Sequence, residues 1–239
     1  MFKTNAKRRH LFLVAAATLS LGFVSLASHP TQTQAASSKT FSASQTAGLT
    51  GYYSSTKAGY AFHWKYLQSS KGIQRVLIFG DFKKPTVMVA VPTKLASQSK
   101  DKRTLKFTVK TANSKGKLSK TNYSFYIKKQ SATQFTVKLK SYSTGKLPST
   151  SGTAYRFTRT SSSPATKLTN EWTRDALTKT YTKQVNANVE KQYQEALAAG
   201  KKVADPKTDA TTQAKIKSTV DSAADKGVKQ VIKNFNYNV

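Results

Sequence analysis

The sequence predicts an α+β fold: an antiparallel β-barrel of about eight strands followed by a C-terminal helical hairpin. Three observations predict it. Between residues 51 and 160, short segments alternate apolar with polar residues, the period of a strand with one buried face. Turn residues separate those segments at regular spacing, as in sandwiches and barrels. From residue 168 onward the apolar spacing changes to threes and fours, the period of a helix. Closing eight strands into a barrel is the economical arrangement because it removes unpaired sheet edges.

The N-terminus reads as a processing segment. Lys3, Lys7, Arg8 and Arg9 precede an apolar run from Leu11 to Leu26, and small residues suited to cleavage follow at Ala27 or at Ala35 and Ala36. The apolar run is shorter than the roughly 20 residues a spanning helix needs. Residues 1–36 are therefore expected to be a signal peptide, and the mature protein to be exported. Residues 37–50 are mostly Ser, Thr, Ala and Gln around Phe41, which predicts a flexible leader.

The barrel is expected over residues 51–160. A first strand covers Gly51–Thr56. Tyr60, Phe62, Trp64 and Tyr66 alternate with Ala61, His63 and Lys65 in a clean period of two, which places His63 on the exposed face. The next two strands, Gln74–Asp81 and Thr86–Val91, are apolar on both faces. Such strands are usually covered on both, so the C-terminal helices should pack outside them. Four basic strands follow: Thr104–Lys110, Tyr123–Lys129, Gln134–Lys140 and Thr153–Thr160.

Residues 161–167 (SSSPATK) predict a linker, and residues 168–239 two helices. In the first helix, of about 30 residues, Leu168, Trp172, Leu177, Tyr181 and Val185 form the stripe, and Gly200 supplies the stop. Asp205-Pro206 predicts the start of the second. Its stripe runs through Ile216, Val220, Gly227, Val231 and Phe235. A first helix of that length, about 45 Å, outruns a small barrel and leaves part free for a protein partner.

Charge points to a class of partner. The chain has 239 residues and a formal charge of +30, with 40 basic residues against 10 acids. Residues 37–164 hold 23 Lys and Arg but only Asp81 and Asp101 as acids. The excess belongs to the barrel, where alternation sends Phe and Val inward and basic residues outward. Lys106, Lys110, Lys128, Lys138, Lys140 and Arg156 are the candidate polyanion-binding residues. A field of this sign attracts anionic polymers and surfaces. For an exported protein without cysteine, a Gram-positive envelope offers wall polymers such as teichoic acid and anionic lipid head groups. The expected location is extracellular, held at the cell wall without a covalent anchor. Nucleic acid is a poor fit. Stacking platforms need aromatics and cations on one accessible face, and here only Tyr126 joins the basic positions.

Residues 51–160 also resemble the lipocalin-like, or calycin, β-barrels. The likeness rests on Gly51-Tyr52-Tyr53 at the first strand and on Arg156 and Arg159 in the last. That family has a Gly-x-Trp near the first strand and a basic residue near the last that packs over it. Tyr53 stands where Trp would be expected. The resemblance implies an alternative function, carriage of a small apolar ligand in a cavity lined by Tyr60, Phe62, Trp64 and Phe107. The same rings can instead fill the core, as in many small barrels.

Catalysis has little to work with. A chain cleaved after Ala35 or Ala36 keeps only His63 among its histidines. No His and carboxylate cluster predicts a metal site, no nucleophile elbow or phosphate loop occurs, and a carboxylate pair would have to come from Asp81 and Asp101. The expectation is a noncatalytic protein without cofactor or metal. Leu147-Pro148-Ser149-Thr150 begins like a sortase sorting signal, but Ser151 replaces the required Gly and 87 residues follow Gly152. A loop proline accounts for it.

Overall fold

The computed structural model describes residues 39–69, 72–113 and 116–237. The proposed signal peptide lies outside the described residues. The alternating segments form the strands β1 (Tyr52–Ser55), β2 (Tyr60–Ser69), β3 (Gly72–Asp81), β4 (Thr86–Pro92), β5 (Ser97–Gln98), β6 (Thr104–Thr111), β7 (Tyr123–Lys129), β8 (Gln134–Tyr142), β9 (Gly145–Pro148) and β10 (Thr153–Thr160). All pairings are antiparallel. The path β1-β2-β3-β4-β6-β7-β8 closes through β10, which pairs with both β8 and β1. Those eight ring strands are the eight expected from the sequence. β5 and β9 are additions, short segments hydrogen-bonded to β6 and to the end of β8.

The inward residues meet across the ring. Phe62 lies 5.3 Å from Phe157, Phe79 6.0 Å from Phe125, and Tyr53 5.0 Å from Phe135 between ring centroids. Such edge-on and tilted pairs add to the burial of their rings. At one end the β8–β9 hairpin folds toward the β3–β4 turn. The buried Asp81 carboxylate accepts N–H bonds from Lys83, Lys84 and Lys146, and the Lys146 ammonium stands 3.5 Å away. A buried carboxylate must be satisfied in this way to avoid a large desolvation cost.

The other end is closed by residues that were expected to be a flexible leader. Residues 39–50 instead pack on the barrel mouth. The short helix α1 (Ala43–Ala47) begins in a capping box between Ser42 and Gln45, and Phe41 and Leu49 on either side are buried in the barrel core. Two apolar side chains in a polar segment are enough to anchor it, because each buried large side chain contributes about 1.5–3 kcal/mol.

The helices begin earlier than the spacing predicts. α2 (Ala165–Leu168) starts inside the expected linker, and a π-helical turn (Thr169–Thr173) leads into α3 (Arg174–Ala198). Gly200 ends α3 as expected: the Gly200 N–H donates to Leu197 and the Lys201 N–H to Ala196. The second helix, α4 (Ala210–Asn236), starts at Asp209, whose carboxylate caps Thr212, and not at Asp205. Asp205 instead holds a turn by accepting the Lys207 N–H. α3 and α4 form the hairpin, packed closely because a Cβ on Gly227 would stand 2.7 Å from Leu177.

The hairpin covers the doubly apolar strands. Outward-facing Ala61, Val76, Ile78, Val87 and Val89 pack with Leu168, Val231 and Phe235. His63 belongs to this interface. It was expected to be exposed, but it is 4% exposed and its Nε2–H donates to the Phe235 carbonyl. The alternation placed His63 on the outer face correctly; α4 then covered it. Farther along, Leu177, Ala224 and Val228 form a separate helix–helix seam.

Candidate anion-binding face

The barrel wall opposite the helices is formed by β6, β7, β8 and β10. Antiparallel register sets its outer rows. Thr104 pairs with Lys128, Lys128 with Thr136, and Thr136 with Arg156. One row therefore crosses four strands with cations on the second and fourth. Lys106 pairs with Tyr126, and Lys138 with Ala154, in the adjoining positions. Neighbouring strands are about 4.8 Å apart, so these four cations share a small area. Lys128, Lys138 and Arg156 are exposed, and Lys106 is half-buried.

The other two candidates lie at the margins. Lys140 is exposed, pairs with Leu147 of β9 and stands 5.9 Å from the Tyr142 ring. Lys110 pairs with Val91 of β4, on the side where the helices begin. The structure thus gathers Lys106, Lys128, Lys138 and Arg156 and leaves Lys110 apart. Among the described residues, no ion pair involves any of the six. The acid nearest in effect is Asp101, whose carboxyl is held below its usual range chiefly by the Ser99 hydroxyl and the Arg103 N–H, with Lys128 a lesser contributor.

Of a second group of cations, sequence singled out only Arg159, as part of the barrel resemblance, and not Lys129 or Arg75. Lys129 continues the inward series Tyr123, Phe125, Ile127, and its residue is 4% exposed. Its ammonium donates to the Thr40 carbonyl at 2.6 Å and to Gln45 Oε1 at 3.0 Å. Burial lowers its pKa, and Arg159 lowers it further. Arg75 donates to the Ala47 and Leu49 carbonyls, and Arg159 to the Thr50 carbonyl and hydroxyl. Three cations thus clasp the N-terminal segment to the mouth through backbone oxygens. The inward period of β3 and β7 carries the signal for Arg75 and Lys129.

The four cavity candidates separate. Tyr60 and Phe62 are fully buried in the ring core. Trp64 and Phe107 line an open cleft of about 580 Å³ at the mouth, together with Ile73, Arg75, Val91 and Leu95. The Arg75 guanidinium lies 5.3 Å over the Trp64 ring. Trp64 Nε1 and Arg75 Nε are buried without a hydrogen-bond partner, as is the Tyr53 hydroxyl behind them. A buried donor without an acceptor costs about 1–3 kcal/mol. Burial pushes the Tyr53 pKa up to about 12, against the opposing pull of Arg159 and Arg75.

Asp81, Asp101 and His63 do not form one constellation. Asp81 lies at the end opposite the mouth, with the β3–β4 turn, Asp101 in the loop before β6, and His63 under α4. Among the described residues, no group of three His, Cys, Asp or Glu could hold a metal ion, and no helix is long and apolar enough to cross a membrane. No protein-family model, no curated protein and no solved structure matches this chain.

Proposed function

We propose that this is an exported, noncatalytic protein of a Gram-positive envelope, held to anionic wall polymer or anionic membrane surface by the outer wall of β6, β7, β8 and β10. The observation that carries this reading is the register. Lys128 and Arg156 share one row, Lys106 and Lys138 share the adjoining row, and no carboxylate pairs with any of them among the described residues. Like charges on neighbouring strands are destabilising, and a bound polyanion would relieve that repulsion. The helices occupy the opposite wall and leave this one bare. The distal part of the hairpin, beyond the barrel-contacting residues, is the region offered to a protein partner.

A noncatalytic role agrees with the structural commitments of the polar groups. Asp81 is saturated by turn N–H groups, Asp101 by its own loop, and His63 by a helix carbonyl. The test is sedimentation of the mature protein with purified cell walls, anionic vesicles and DNA across a salt series. The reading expects wall or vesicle binding that about 1 M NaCl releases through screening. Wall binding that survives such salt would refute it.

A further inference from the structure

The basic wall carries one residue that a charged field does not need. In the two rows that hold Lys106, Lys128, Lys138 and Arg156, the neutral positions are Thr104, Thr136, Ala154 and Tyr126. Three of these are small. Tyr126 is large, shares its row with Lys106 and Lys138, and is 40% exposed. Opposite side chains on paired strands stand about 4.5–5.5 Å apart at Cβ, which puts Lys106 directly beside the ring. Lys128 lies two residues along β7 on the same face.

Other exposed tyrosines near cations have a face covered. The Arg75 guanidinium lies 5.9 Å over the Tyr66 ring, and the Lys140 ammonium 5.9 Å over the Tyr142 ring. Among the described residues, no cation stands over the Tyr126 ring, although lysines flank it. Its face is left open in a bordering field of positive charge. Ser124 and Thr136 add half-buried hydroxyls on the same side of the sheet, and a hydroxyl both donates and accepts.

This combination discriminates among anionic polymers. Lysine and arginine alone attract any anion. An open aromatic face adds contact for a flat, carbon-rich surface, and the hydroxyls match further hydroxyls. A polyol phosphate presents charge and hydroxyls without such a face, and so does a glycerol lipid head group. A sugar ring bearing a carboxylate presents C–H groups on one face, hydroxyls at its rim and an anion. A nucleobase is also flat, but strands of bases are held on successive platforms, and these rows hold one. We infer that the wall binds an acidic polysaccharide, with one sugar ring stacked on Tyr126 and the carboxylates of that ring and its neighbours on Lys106, Lys128 and Lys138. This rests on the basic-wall reading and narrows its polymer to a glycan with carboxylates on its rings.

The test is isothermal titration of the mature protein, Tyr126→Thr and Tyr126→Phe with two probes of matched charge, a galacturonate hexamer and linear polyphosphate. Threonine is a good strand former, and circular dichroism checks the fold of each variant. Tyr126→Thr should weaken hexamer binding about fivefold, the size of one aromatic contact, and leave polyphosphate binding unchanged. Tyr126→Phe keeps the ring and should bind the hexamer as the wild type does. Unchanged hexamer affinity in Tyr126→Thr, an equal loss for polyphosphate, or a loss shared by Tyr126→Phe would overturn the inference and leave the basic-wall reading standing. A wild type that binds polyphosphate but not the hexamer would do the same. A wild type that binds neither probe would overturn both.

Discussion

His63 of β2 donates through Nε2 to the Phe235 carbonyl at 2.7 Å, so a barrel side chain closes the last turn of α4. The Lys65 ammonium adds bonds to the Asn236 and Tyr237 carbonyls. Both donors meet the negative end of the helix dipole. The Phe235 ring lies 5.0 Å from His63 and 5.3 Å from Phe82, which fixes α4 on the barrel by packing as well as by hydrogen bonds.

That contact carries a pH dependence. Burial holds the His63 pKa below its ordinary value, and Lys65 pushes the same way, while the Phe235 and Trp64 backbone contacts oppose them. In the unfolded chain the histidine titrates at about 6.5 and so takes up the proton more readily. Stability is full above that value and falls as pH drops below it. Amide protection factors at Val231–Phe235 should decline between about pH 7 and about pH 5. His63→Gln keeps a donor but does not titrate in this range, and should flatten that decline. A decline that persists in the variant would place the pH sensitivity elsewhere.

Gly80 is the socket for Phe235. A Cβ there would stand 2.8 Å from the Phe235 ring and 2.9 Å from Phe82. Gly80→Val should cost about 1–3 kcal/mol by overpacking, and Phe235→Ala about 3–5 kcal/mol. Guanidinium denaturation of the single and double variants checks the relationship. The double variant should lose less than the sum, because the two residues occupy the same space.

The N-terminal segment should depend on Lys129. Lys129→Ala removes the donors to Thr40 and Gln45 and should cost about 1–3 kcal/mol. Limited proteolysis should then cut within residues 39–50 faster than in the wild type, with the near-ultraviolet spectrum of the barrel rings retained. Unchanged cleavage would show that Phe41 and Leu49 hold the segment without the clasp.

The ring strands and the outward turn of the lysines were legible because both follow a period of two. The need for a cover over β3 and β4 was legible for the same reason: Val76 and Ile78 could not all face inward with Leu77 and Phe79. His63 was misjudged because alternation gives the face of a residue but not what lies over it. The N-terminal segment was missed because its anchors, Phe41 and Leu49, are isolated in polar sequence. Its capping box, Ser42 to Gln45, was the local signal of order. The clasp of Arg75, Lys129 and Arg159 joins residues more than 25 positions from their acceptors, which no local pattern encodes.

Single alanines on the basic wall should change polymer affinity little, since an exposed charge contributes about 0.2–1 kcal/mol. Isothermal titration with a wall polymer checks this for Lys128→Ala and Arg156→Ala individually. A loss of more than about tenfold from either would point to a discrete pocket in place of a distributed field.

The most direct measurement is wall-polymer binding by a protein in which Lys106, Lys128, Lys138 and Arg156 are all changed to Glu, followed across a salt series beside the wild type. These positions face outward from the ring, so circular dichroism and the unfolding midpoint should stay close to wild type. The account predicts salt-sensitive binding by the wild type and none by the variant. Retained binding by a folded variant would contradict it.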